Sequence, residues 1–347
     1  MKPERGADQI ARQLGRRSLA TSVGLGVSAV CVILAFRGAN VEDVTAALAQ
    51  ADMLLVVSAF VAAMAATGAS VFRWRILLQP YPTRVAKLFS AFMIAHLLNT
   101  VLPAKLGTVA RAYLAGEMEK IGKAFVLGSI AVEKVLDNVI IVLLGVLLFP
   151  FVALPEWLWQ SGVSTAILFL AMFTLTILAG RNREVLVRWT ESLYSNLRVH
   201  PPVDLVRHLG LALDSFAALS QPDICWPLWG WSLLIWGSGI LANQLVMMAM
   251  GIRAPWVAAV FLLVVLQIGT KLPSSPGSVG VFHYLAVLAL SVFSVDKSLA
   301  LSYGLVLHAV VVLLPSVFGA FFLWRESCTR ADISLWGAEA QVGLVER

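Results

Sequence analysis

Twice in this chain an apolar run is broken by proline and glycine in nearly the same way. Segment 100–109 reads TVLPAKLGTV and segment 270–279 reads TKLPSSPGSV. Identity holds at Thr100/Thr270, Leu102/Leu272, Pro103/Pro273, Gly107/Gly277 and Val109/Val279, while Thr108 and Ser278 share a hydroxyl. Proline withdraws a backbone donor and glycine frees the chain to bend, so each copy leaves main-chain polar groups without helical partners. Hydrocarbon cannot satisfy such groups; at membrane depth they persist where protein buries them or a watery cavity meets them. Two such interruptions, at Pro103/Gly107 and at Pro273/Pro276/Gly277, are the pattern of a carrier whose site lies where broken helices meet. Simple kinks in ordinary spans are the competing reading.

The surroundings of the breaks demand a membrane. Hydrophobic residues make up 59% of the chain, charged ones 13%, and mean hydropathy is +0.84, values far outside those of a water-soluble domain. The net charge of +6 does not point to nucleic acid, because the basic residues fall between apolar runs, where they orient a protein against anionic headgroups. Cys31, Cys225 and Cys328 show no metal-ligand spacing and read as packing residues, so no metal or cofactor is expected. A signal peptide over 18–36 lacks a convincing cleavage site, and a retained first span is expected instead.

Runs long enough to cross the bilayer, about 20 residues each, cover 18–36, 52–72, 123–152, 163–180, 225–250 and 297–324. The interrupted regions 85–116 and 255–293 are predicted to be re-entrant helical hairpins, since the pieces before each break reach only mid-bilayer. The expected fold is therefore all-α and polytopic, with about six full spans and two re-entrant hairpins in inverted repeats. One repeat occupies 18–152 and the other 163–324, with a basic amino-terminal segment 1–17 and a tail 325–347. Lys2, Arg5, Arg12, Arg16 and Arg17 precede the first span and Arg325 and Arg330 follow the last, which predicts both termini in the cytoplasm of a cell-membrane protein. The polar insertion 181–222 places Val206, Leu209, Leu213 and Phe216 on one helical face, as expected of a helix lying on the membrane surface.

Glu133 and Asp137 stand at i and i+4, so both project from one face of the third long span, with Lys134 and Asn138 beside them. Charge at membrane depth requires a partner or water. Two roles are open: an internal ion pair with Lys134, Lys105 or Arg111, or a polar wall that contacts a substrate headgroup or proton. Lys105 and Arg111 frame the first break and are candidates either to hold phosphate or to snorkel to the surface. Arg73 and Arg75, ending the second span, are expected to be membrane-edge anchors, and Trp74 a headgroup-level ring. Lys271 and His283 flank the second break and join the candidate site; His308 lies in the last span, where a hydrogen-bonding role competes with proton transfer. There is no GxxxxGK[ST], HExxH or GxSxG pattern, and no extramembrane domain large enough for an enzyme core, so neither ATP-driven transport nor catalysis is expected.

Four patterns resemble a family, the membrane region of lysylphosphatidylglycerol synthases and related stand-alone flippase-like proteins. They are the arginine and tryptophan pair within Phe72 to Arg75, Pro103 and Gly107 followed by Arg111, Glu133 with Asp137 in place of Glu-Arg-x-x-Asp, and the segment Pro273 to Gly280 in place of Pro-x-x-Pro-Gly-Gly-x-Gly. The likeness spans roughly residues 15–325. Thr108 stands where the family often has an acid, His283 where glutamate is common, and Lys134 where arginine is usual. The synthases carry a soluble aminoacyl-transferase domain after the membrane part; this chain is expected to be a stand-alone member. The resemblance implies a translocase for a phospholipid or polyprenyl-linked lipid, its partner being membrane lipid. Other classes remain: a lipid-presenting subunit working with a glycosyl- or aminoacyl-transferase, or an ion-coupled carrier of small solutes. The sequence leaves the oligomeric state open.

Overall fold

The computed structural model describes residues 25–102, 106–148, 150–152, 156–196, 210, 213–214, 216, 221–271 and 274–327. Among these there is no strand. Helix α1 (Leu25–Phe36) turns by 84° into α2 (Val41–Ala49). There follow α3 (Met53–Leu77), α4 (Val85–Val101), α5 (Gly107–Glu119), α6 (Lys123–Leu148), α7 (Glu156–Arg181), α8 (Arg183–Asn196), α9 (Pro222–Ala249), α10 (Trp256–Gly269), α11 (Val281–Ser291) and α12 (Lys297–Ser327).

Short polar residues begin several helices by the expected chemistry. Asn40 accepts from the Glu42 N–H at 2.9 Å, Asp52 from Leu54 at 2.9 Å, and Asp296 from Ser298 at 2.8 Å, each satisfying donors that a helix start leaves orphaned. By length and apolarity α3, α9 from Asp223 and α12 suffice to cross a membrane, and the bent pair α1–α2 adds up to one more. Helix α6 is 26 residues long, about 39 Å at the α-helical rise, but it carries Glu133, Lys134 and Asp137 in its middle. Large side chains such as Leu54, Val57, Val61, Leu233 and Val317 point outward, as suits a protein whose solvent is lipid.

Both interrupted regions are helical hairpins. α4 has 17 residues and α5 13, α10 has 14 and α11 11, so every arm falls short of the roughly 30 Å of hydrocarbon. The arms pack on one another, α4 on α5 and α10 on α11.

Two apolar cores lie along α6. One gathers Val71, Trp74 and Leu77 of α3, Leu88 and Ala91 of α4, Ala112 and Ala115 of α5, and Phe125 to Leu136 of α6. The other gathers Ile140, Ile141 and Leu148 of α6 with Val246 and Met247 of α9 and the apolar faces of α10, α11 and α12. The first hairpin thus shares a core with the amino-terminal half of α6 and the second with its carboxy-terminal half, and their tips meet. A Cβ built on Gly277 would lie 3.4 Å from Cγ2 of Thr100, at the end of α4.

Helix α12 serves both hairpins. Its first half packs on α11 and α2; a widened π turn then spans Ala309–Leu313. Beyond it Gly319 lies against α4, where an added Cβ would come within 2.4 Å of the Met93 carbonyl oxygen. Of the surface-helix residues, Leu213 is buried and Phe216 packs on the first core, whereas Val206 and Leu209 lie outside the described residues.

Candidate functional site

The charged turn of α6 is built from two ion pairs, one buried and one partly so. Arg111 of α5 grips Glu133 with both terminal nitrogens, Nη1 to Oε1 at 3.0 Å and Nη2 to Oε2 at 2.7 Å. Arg111 is 5% exposed and Glu133 2%. The guanidinium carbon lies 3.8 Å from the Trp74 ring centre and 4.5 Å from that of Phe92, so two aromatic faces clasp the cation. Trp74 is anchored in turn, donating from Nε1 to Ser129 Oγ at 3.0 Å. One turn along, Arg73 donates to Asp137 Oδ1 at 2.8 Å and to Ser232 Oγ of α9 at 2.9 Å.

Several expectations change here. Arg73 is 1% exposed and Trp74 0%, so neither side chain is a lipid-facing anchor; of the two arginines only Arg75 is exposed. The reason is register: Arg73 and Trp74 face inward toward α6 and α9, where buried acceptors await them. Arg111 neither snorkels nor lines an open mouth, because its fork is filled by Glu133. Of the two roles open to Glu133, the structure shows the internal pair.

Around Asp137 the site opens. Asp137 keeps about a fifth of its side chain exposed, and Lys134 is 59% exposed. Lys134 Nζ stands 3.8 Å from Glu133 Oε1 and 3.8 Å from Asp137 Oδ2, near enough for attraction and too far for hydrogen bonds. From the second hairpin, Lys271 Nζ donates to Asn138 Oδ1. Lys271 therefore meets the same helix that carries Glu133 and Asp137.

The breaks are shaped by close backbone approach. A Cβ on Gly107 would fall 2.1 Å from the Ala95 carbonyl oxygen, so only glycine lets α5 start against α4. In the second hairpin Pro276 opens a short 3-10 turn, and Gly277, Ser278 and Gly280 all take positive φ. The turn is tied from three sides. Ser28 Oγ of α1 accepts from the Ser275 N–H at 2.7 Å, His308 Nε2 lies 2.9 Å from the Gly277 carbonyl, and His283 Nδ1 accepts from the Gly280 N–H at 3.3 Å. His283 and His308 are both buried, their ring centres 5.0 Å apart. Pro103, Lys105 and Pro273 lie outside the described residues. Among the described residues no group of three or more potential ligands gathers for a metal.

Sequence reasoning missed Phe92, Ser129 and Ser232 as parts of this network. For the serines no signal existed, since their partners lie 55 and 159 residues away.

A profile for the lysylphosphatidylglycerol synthase transmembrane region matches residues 21–319. The chain belongs to this family. That match embraces both hairpins and the charged turn of α6, so the site just described lies within the family's shared region. A curated protein of Haloferax volcanii, Glycosyltransferase AglD, is 25% identical over 332 residues, covering 85% of this chain and 52% of that relative. This lysylphosphatidylglycerol synthase-like chain thus spans about half the length of the curated relative. No solved structure matches it.

Proposed function

We propose that this protein is a flippase-like translocase that carries a phospholipid or polyprenyl-linked lipid across the cell membrane, without catalysing a covalent step. One observation carries the reading: two half-length hairpins meet where Thr100 lies against Gly277, and Lys271 of the second reaches α6, the helix that carries Glu133, Lys134 and Asp137. Polar groups placed between two apolar cores offer a headgroup a route, while the acyl chains stay in lipid. The two halves, each with a broken hairpin after three helices, act as inverted repeats that open alternately to either leaflet. Basic residues before the first span and after the last orient both termini to the cytoplasm. Membership of the family supports a lipid-related role.

The test is movement of a fluorescent phosphatidylglycerol in proteoliposomes, read by quenching of outer-leaflet label. Faster exchange than in protein-free vesicles, slowed by Asp137→Asn, is the expected result; exchange at the protein-free rate refutes the proposal. A second reading, presentation of a lipid-linked substrate to a transferase, draws on the name of the curated relative. It requires a partner enzyme, whereas translocation proceeds with the purified chain alone.

A further inference from the structure

The buried arginines take the closest contacts of the α6 carboxylates and leave Lys134 with looser ones. Lys134 sits close to the middle of a 26-residue helix, yet 59% of its side chain is open. Both oxygens of Glu133 are taken by Arg111, and Oδ1 of Asp137 by Arg73, all at 2.7–3.0 Å. Among the described residues no acceptor lies within hydrogen-bond distance of the Lys134 ammonium, and its two carboxylate neighbours stay at 3.8 Å. An exposed ammonium whose carboxylate neighbours stand off at 3.8 Å keeps its N–H donors for water or an anion.

A second ammonium faces the same place. Asn138 is one helical turn beyond Lys134 on the same face, about 6 Å away between Cβ atoms, and Lys271 reaches it from the tip of the second hairpin. We propose that Lys134, Lys271 and Asn138 form a cradle for the phosphate of a lipid headgroup, with Lys134 and Asn138 on α6 and Lys271 reaching it from just beyond α10. The proposal rests on the translocase reading and narrows it to phosphate-bearing lipids. Two ammonium groups supply charge-assisted hydrogen bonds to phosphate oxygens, and the Asn138 amide nitrogen supplies a neutral donor once its oxygen holds Lys271. The arginines are excluded from this task, since their forks are filled and their planes enclosed. Separate cations thus hold the scaffold and the ligand.

The experiment measures binding of a fluorescent phosphatidic acid to the purified full chain in detergent micelles, with inorganic phosphate as competitor and a neutral fluorescent diacylglycerol as control. Lys134→Gln and Lys271→Gln are each expected to weaken phosphatidic acid binding about tenfold, Lys134→Arg to retain it, and Lys123→Gln, at an exposed pair with Glu117, to leave it unchanged. Unaltered thermal unfolding of the glutamine variants shows that the loss is local. Equal affinity for the diacylglycerol, or unchanged affinity in both glutamine variants, overturns the cradle. Saturation by inorganic phosphate with no preference for the lipid assigns the site to a free anion and overturns the lipid form. The translocase reading fails separately: lysine-dependent binding without lipid movement removes transport and keeps the cradle, while lipid movement with lysine-independent binding does the reverse.

Discussion

Replacing Glu133 with leucine removes the carboxylate that fills the Arg111 fork while nearly conserving volume. The guanidinium then stays enclosed at 5% exposure, facing Trp74 and Phe92 but no carboxylate. Breaking one partner of a buried pair costs about 3–5 kcal/mol. The two aromatic faces return about 2 kcal/mol at most even when desolvated, and they already act in the parent protein, so they cannot offset the loss. The expected destabilisation is therefore about 3 kcal/mol or more, a factor above roughly 100 in the unfolding equilibrium. The companion double variant, Arg111→Met with Glu133→Leu, removes the stranded charge and is expected to recover most of that loss, because an apolar pair of similar volume packs equally well between the aromatic rings. The assay is equilibrium unfolding in mixed micelles by a denaturing detergent, followed by tryptophan fluorescence, which Trp74 reports directly. If Glu133→Leu unfolds within about 0.5 kcal/mol of the parent, or if the double variant is no better than the sum of the two singles, the pair is not buried as described and the reasoning fails.

Arg73→Ala should destabilise by about 3 kcal/mol and Arg75→Ala by less than about 0.5 kcal/mol, because only Arg73 is enclosed; equal effects in the same unfolding assay would contradict the assigned register. Gly280→Ala should lower the unfolding midpoint strongly, since φ is +89° and the new methyl would meet the Ser28 carbonyl oxygen at 2.4 Å. Gly251→Ala, with φ +68° but open space around it, should lower it only slightly, by about 1 kcal/mol. Cysteines placed at Thr100 and Gly277, in a chain whose three native cysteines are serine, should cross-link under mild oxidation and be seen after proteolysis between the hairpins; absence of the cross-link would separate the two tips. Asn138→Leu should weaken phosphatidic acid binding less than either lysine variant, because a neutral donor contributes less than a charged one; a larger loss would make Asn138 the principal contact.

Much of the fold was legible because it follows from local rules. The breaks announced themselves through proline and glycine at matching positions, and the arms flanking them are short by simple counting. The i, i+4 spacing of Glu133 and Asp137 correctly put both on one face of α6. What escaped was the choice of partner. Arg73 and Arg75 are chemically identical and two residues apart, and only the packing of α3 against α6 and α9 decides that one is enclosed. Lys134, Lys105 and Arg111 are all claimants on Glu133 by sequence, and the planar fork of Arg111 meets it with two bonds. Helix α2 was overlooked, although Asn40 followed by Glu42 and Asp43 carries the signature of a helix start; its nine residues are too short for a hydropathy window to notice.

The widened turn at Ala309–Leu313 allows one rod to be read in two phases. Such a turn holds about one residue more than an ordinary α turn, and so rotates everything after it by roughly 100°. In an unbroken α-helix the face that meets α11 would continue straight on, and Ser316 and Gly319 would point more than a quarter-turn away from α4. Instead Ser316 Oγ, which donates to the Val312 carbonyl at 2.7 Å, lies 3.1 Å from Thr100 Oγ1, and the same carbonyl lies 3.3 Å from His96 Nε2 of α4. The last helix is thereby keyed to both hairpin tips, and a single surplus residue sets the angle between the two keys.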